Sequence, residues 1–164
     1  MSDPAEVGWK IHSALTDWTA KVDTKASFAL TIESALLAGV VTLSSSGRSL
    51  SNLSGCAVFW YVLGISILII SVLMAVSVVA PRLRSQHLKD EASQNFIYFG
   101  HLRFLNAAQV ENNLNNSDIV PVLSRQLVVM SQIAWQKHRR VQLSLLLSPF
   151  GVAFLGISAW LNTP

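Results

Sequence analysis

Between Cys56 and Ala80 the chain runs for 25 residues without a charged side chain, and most of those residues are Ile, Leu or Val. A helix of that length, at ~1.5 Å per residue, is longer than the ~30 Å hydrocarbon core of a bilayer. Trp60 and Tyr61 near its first end are the residue types that settle at the lipid–water boundary. Composition agrees, since 51% hydrophobic against 13% charged residues, with mean hydropathy +0.45, is too apolar and too poorly charged for an ordinary soluble domain. A net charge of +3 would suggest nucleic acid in a soluble protein. Here the cations flank apolar runs, where they act as topology signals, so no nucleic-acid partner is expected.

Two further segments qualify as spans. Ala26–Leu43 has 18 residues and one charge, Glu33, and Val141–Leu161 is uncharged, ends beside Trp160 and contains Pro149-Phe150-Gly151, a kink signal. The fold class is therefore all-α: an integral membrane helical protein with three transmembrane helices at about 26–44, 56–80 and 141–161, and a helical cytoplasmic section. No linker separates independent domains, so residues 1–164 are read as one membrane domain. Ser44–Gly55, rich in Ser, Gly and Asn, forms a short connection between antiparallel spans.

Orientation follows from Lys and Arg beside the spans. The connection after the first span holds one, residues 81–140 hold eight and the N-terminal segment holds three. Residues 1–25 and 81–140 are thus expected in the cytoplasm and the C-terminus outside. The first residues have neither a basic region nor an early apolar stretch, so a cleaved signal peptide is not expected.

Asp3-Pro4-Ala5-Glu6 has the form of a helix start near Pro4. In the middle section, Pro81-Arg82-Leu83-Arg84 ends the second span with a kink signal, and Leu83–Ala92 continues as helix. Asn95–Leu105 is an aromatic cluster around Gly100, and Asn112–Ser117 is predicted as a turn. Ser117 or Asp118 can cap a long last helix that runs through Arg140 into the third span.

Ordinary enzyme chemistry has no foothold: nucleophile-elbow, zinc-protease, phosphate-loop and paired-cysteine motifs are all missing, and the protein is not expected to be an enzyme. His12, His87, His101 and His138 lack ligand spacing within any helix, and the lone Cys56 excludes an intrachain disulfide, so neither metal nor cofactor is expected.

The candidate binding residues lie at the ends of the spans. Trp18, Lys21 and Lys25 share one helix face, aromatic and cationic, which suits either a stacked base and phosphate or snorkelling into lipid headgroups. Lys137-His138-Arg139-Arg140, with Arg82 and Arg84, makes a cation collar that positive-inside topology accounts for and that would also attract a phosphorylated ligand. Tyr98-Phe99-Gly100-His101-Leu102-Arg103 offers rings, an imidazole and a guanidinium around a small residue; the alternative is an apolar elbow between helices. Asp23 is expected to pair with a cation of a neighbouring helix. Glu33, the acid within a span, is expected at a helix contact or facing a pore.

Three strings in order, Trp18-x4-Asp23-x-Lys25-Ala26, Asn95-Phe96-Ile97-Tyr98-Phe99-Gly100-His101-Leu102-Arg103 and Ile133-x3-Lys137-x-Arg139, resemble the Pycsar transmembrane effector family over nearly the whole chain. The resemblance implies a role in bacterial anti-phage defence. A partner pyrimidine cyclase makes cyclic UMP or cyclic CMP during infection, and the effector then impairs the inner membrane so that the cell dies before phage release. No cyclic-nucleotide-binding β-barrel is recognisable, so sensing is expected to use the helical cytoplasmic section, with the ligand bridging cations and rings near Lys25, His101, Arg103 and Arg139 and shifting a homo-oligomer from closed to open. A different class, a constitutive membrane scaffold or plasmid-transfer accessory protein, needs only the spans and a basic face, and would act without nucleotide.

Overall fold

A computed structural model describes residues 3–80 and 88–162. Among them there is no strand; the elements are α1 (Pro4–Leu43), α2 (Cys56–Val79), α3 (Leu88–Glu91), α4 (Phe99–Leu102), α5 (Ala107–Asn116) and α6 (Ile119–Leu161). α1, α2 and α6 are each long and apolar enough to cross a membrane. The chain packs as two units, Met1–Lys21 with Pro81–Gln136, and Val22–Ala80 with Lys137–Pro164. Of the expected helix at Leu83–Ala92, Leu88–Glu91 is α3 and Ala92 lies just past its end, while residues 83–87, the kink signal at Pro81 with Arg82 and Arg84, and His87 lie outside the described residues.

The second unit holds the three apolar segments. Its buried positions recur at alternating steps of three and four: Val22, Ala26, Ala29, Glu33 and Val40 on α1, Gly64, Leu68, Ser71, Ala75 and Val78 on α2, and Val141, Ser144, Ser148, Gly151, Leu155 and Ser158 on α6. A mean step of 3.5 residues keeps each seam facing its neighbours with the left-handed wrap of a coiled coil. Most seam residues are small. In lipid that is what allows helices to approach, because apolar side chains gain little by leaving hydrocarbon and contact must come from close backbones and hydrogen bonds. The approach is tightest between Gly64 and Gly151. A Cβ on Gly64 would lie 2.9 Å from the Gly151 carbonyl oxygen, and one on Gly151 would lie 3.1 Å from that of Gly64. Outward positions such as Phe28, Val41, Phe59 and Leu73 are exposed and apolar, as a lipid-facing surface requires.

The connection after α1 is a built turn. Gly47 and Gly55 take positive φ, as does Asn52, and Leu50 tucks into the bundle beside Val40, Leu68 and Leu155. At the far end of α6, Asn162 Nδ2 donates to the Ser49 and Ser51 carbonyls at 3.2 and 3.1 Å, and Ser158 Oγ donates to the Ala57 carbonyl at 2.8 Å. Pro149 sits within α6, which stays helical on both sides of it.

In the first unit, Asp3 Oδ1 accepts the Ala5 N–H at the start of α1, and Asp118 Oδ1 accepts the Val120 N–H at the start of α6. Asn112–Ser117 corrects the expectation of a turn, because Asn112 to Asn116 form the end of α5. Asn106 and Gln109 make a reciprocal capping box that starts this helix, and Asn116 Nδ2 donates to Asn112 Oδ1 at 2.8 Å one turn earlier. A firm start and an i,i+4 bridge outweigh the weak helix propensity of Asn.

Candidate functional site

Three polar features stand out, two in the second unit and one in the first. At the start of the second unit, Lys137 Nζ donates to Asp23 Oδ1 and Oδ2 at 2.6 and 2.8 Å. The expected cation from a neighbouring helix is thus Lys137, and two of the three quoted strings meet in one ion pair. Lys25 and Arg139, two residues further along each helix, are exposed and form no ion pair among the described residues. Directly after this pair comes an apolar layer of Val22, Ala26, Val78 and Val141.

The next layer is polar. Glu33, 1% exposed, accepts hydrogen bonds at Oε1 from Ser71 Oγ at 2.6 Å and Ser144 Oγ at 2.7 Å, while Ser71 Oγ is also 2.7 Å from the Ser144 carbonyl oxygen. Glu33 Oε2 is buried without a hydrogen-bond partner among the described residues. Seven residues from Ala26, this layer lies about 10 Å along the helix axis, well inside an apolar run. The geometry places Glu33 at a contact of three helices. Ser71 and Ser144 escaped sequence reasoning; their signal was the 3-4 spacing of small residues along α2 and α6.

In the first unit the aromatic string folds as a tight elbow. Tyr98 caps α4, its ring packs against Phe99 and edge-on against His101, and a Cβ on Gly100 would collide with the Tyr98 ring. His101 is 5% exposed; Nε2 stands 3.6 Å from Glu91 Oε2, beyond good hydrogen-bond distance, and neither ring nitrogen has a hydrogen-bond partner among the described residues. Arg103 is exposed and lies over the Phe104 ring at 4.5 Å. Arg125, which sequence reasoning passed over, holds the start of the string by donating to the Gln94 carbonyl at 2.7 Å and to Asn95 Oδ1 at 3.1 Å. Trp18 is 53% exposed, and the exposed Lys21 pairs with Asp17 at 2.6 Å. Among the described residues no three His, Cys, Asp or Glu side chains are grouped as metal ligands would be.

The family model of the Pycsar effector protein domain matches residues 7–162, nearly the whole chain. The chain belongs to the Pycsar effector domain family. All three polar features fall inside the match. Membership supports a role as an effector of anti-phage defence within a system that includes a partner cyclase, and the three membrane-capable helices fit a protein of the bilayer. No curated protein and no solved structure matches the chain.

Proposed function

We propose that this protein is the non-enzymatic effector of a two-gene anti-phage system, activated by cyclic UMP or cyclic CMP from its partner cyclase to impair the inner membrane and cause abortive infection. The family match across residues 7–162, on a chain with three membrane-capable helices, carries this reading. The N-terminal segment and residues 81–140 lie in the cytoplasm, where the ligand is made, and the C-terminus lies outside; the distribution of Lys and Arg supports that orientation.

Ligand recognition draws on the cations and rings at Trp18, Lys21, Lys25, Tyr98, His101, Arg103, Lys137 and Arg139. Exposure makes Lys25 and Arg139 in the second unit, and Arg103 in the first, each available to an anionic ligand, because each is exposed without an ion-pair partner among the described residues. His101 is enclosed, so its imidazole positions the Tyr98 ring rather than meeting ligand first. Copies of the chain assemble, and ligand shifts the assembly by binding one arrangement more tightly than the other.

The test is dye entry and membrane potential in cells expressing the protein with and without an active pyrimidine cyclase. Depolarisation that needs both genes supports the proposal. Depolarisation by the protein alone, or none with both present, would sink it.

A further inference from the structure

The second unit contains an oxygen cluster whose hydrogen bonds do not add up. Glu33 Oε1 to Ser71 Oγ is 2.6 Å, Ser71 Oγ to the Ser144 carbonyl oxygen is 2.7 Å, and Ser144 Oγ to Glu33 Oε1 is 2.7 Å. Each of these contacts needs a proton between its oxygens, yet the two hydroxyls supply one each. A carboxylate supplies none. With Glu33 ionised, one contact is left with two oxygens facing each other, and either a proton on the carboxyl or a bound cation must stand between them.

The charge account points the same way. Across 26–43, 56–79 and 141–161, Glu33 is the one Asp, Glu, Lys, Arg or His. No side chain within the spans can neutralise it, and a lone charge buried in hydrocarbon is costly. Moreover, Glu33 Oε2 is buried and lacks a hydrogen-bond partner among the described residues. Four oxygens from three helices, namely Glu33 Oε1, two hydroxyls and a backbone carbonyl, are thus in mutual contact, with the buried Oε2 on the same carboxyl, and an ionised Glu33 leaves them short of positive charge. That is the donor set of a hard cation, which takes several oxygen ligands where a proton takes two. A single carboxylate sets the valence, since a divalent ion would leave net positive charge among apolar side chains.

We propose that Glu33, Ser71 and Ser144 form a binding site for one small monovalent cation, of the sodium or lithium class, in the middle of the three-helix bundle. The site needs no nucleotide and stands independently of the effector role. Binding spreads the oxygens around the ion and replaces hydroxyl-to-carboxylate hydrogen bonds with ion contacts, which ties α1, α2 and α6 together at one level.

The full chain in lipid nanodiscs allows a direct test, with sodium, lithium or choline chloride at equal ionic strength and fixed pH. Two readouts are thermal unfolding and modification of Glu33 by a hydrophobic carbodiimide, quantified by mass spectrometry. Sodium and lithium are expected to raise the unfolding temperature and to protect Glu33 saturably, with choline doing neither. Ser71→Ala should raise the sodium concentration for half-protection by about tenfold, the change one hydrogen-bond-scale contact carries, and Glu33→Gln should abolish the sodium-specific rise in unfolding temperature. Identical behaviour in sodium and choline overturns the site and leaves the carboxyl neutralised by a proton alone. A sodium effect that survives in both variants overturns it as well, by placing the ion elsewhere. Because wild-type protein in sodium and choline can already overturn the site, a variant that fails to fold does not rescue the idea.

Discussion

Lys137 reaches across from α6 to hold both carboxylate oxygens of Asp23 on α1, at 2.6 and 2.8 Å, with 21% and 39% of the two side chains exposed. The pair is half-shielded, so it should contribute more than a surface ion pair and less than a buried one. Removing one partner leaves the other facing the apolar layer of Val22, Ala26, Val78 and Val141. Asp23→Ala or Lys137→Met alone should each cost about 1–2 kcal/mol, and the double variant less than their sum, with a coupling of about 1 kcal/mol. Unfolding equilibria of the four proteins in nanodiscs would measure it. Additive losses would mean that the two side chains merely lie side by side.

Glycines on the spans divide into two kinds. At Gly64 an added Cβ would sit 2.8 Å from Leu155 Cγ and 2.9 Å from the Gly151 carbonyl oxygen, whereas at Gly39 and Gly156 it would meet nothing within 4 Å. Gly64→Ala therefore has to separate two backbones and should destabilise by about 1–3 kcal/mol. Gly39→Ala and Gly156→Ala should be neutral or stabilising by up to about 1 kcal/mol, from helix propensity alone. The ranking of the three in one thermal-unfolding series is the check, and a Gly64→Ala protein as stable as Gly156→Ala would contradict the close crossing.

The three spans were legible because each is an uncharged or nearly uncharged run of helical length, a property of neighbours in sequence. The contacts between them were not, since Asp23 and Lys137 are 114 residues apart and Glu33 lies 38 from Ser71 and 111 from Ser144. Pairing of that kind depends on how three helices register. A partial trace existed in the small residues Gly64, Ser71 and Ala75 of α2 and Ser144, Ser148, Gly151 and Ser158 of α6, whose 3-4 steps mark a seam. Asn112–Ser117 misled for a different reason. Asn-rich sequence favours turns when nothing competes, and here the Asn106–Gln109 box upstream commits the backbone to helix first.

Cys56 offers a native probe of orientation. It is a free, exposed thiol at the first residue of α2, adjoining the connection after α1 that carries one cation, Arg48. With that connection outside, a membrane-impermeant maleimide should label Cys56 in intact spheroplasts. A Cys56→Ser protein carrying Asn112→Cys, an exposed position on α5, should label only after the membrane is permeabilised. The reverse pattern would invert the topology and move the cation-rich section away from the compartment where the nucleotide is made.

Ligand binding separates two kinds of residue in the aromatic and basic strings. Arg103 presents its guanidinium to solvent over the Phe104 ring, and Lys25 is likewise exposed, so neither contributes much to packing. Arg103→Ala and Lys25→Ala should leave unfolding temperature nearly unchanged. If the phosphodiester uses them, each loses a charge-assisted contact and binding of radiolabelled cyclic UMP or cyclic CMP to the solubilised protein should weaken by about 10- to 100-fold. Gly100→Ala should behave in the opposite order. Its Cβ displaces the Tyr98 ring and with it the packing around His101, so the elbow loosens first and any loss of binding follows from that. Two binding-defective but stable variants beside one destabilised variant would assign the charges to the ligand and the glycine to the scaffold. Undiminished affinity in both Arg103→Ala and Lys25→Ala would remove these residues from the site.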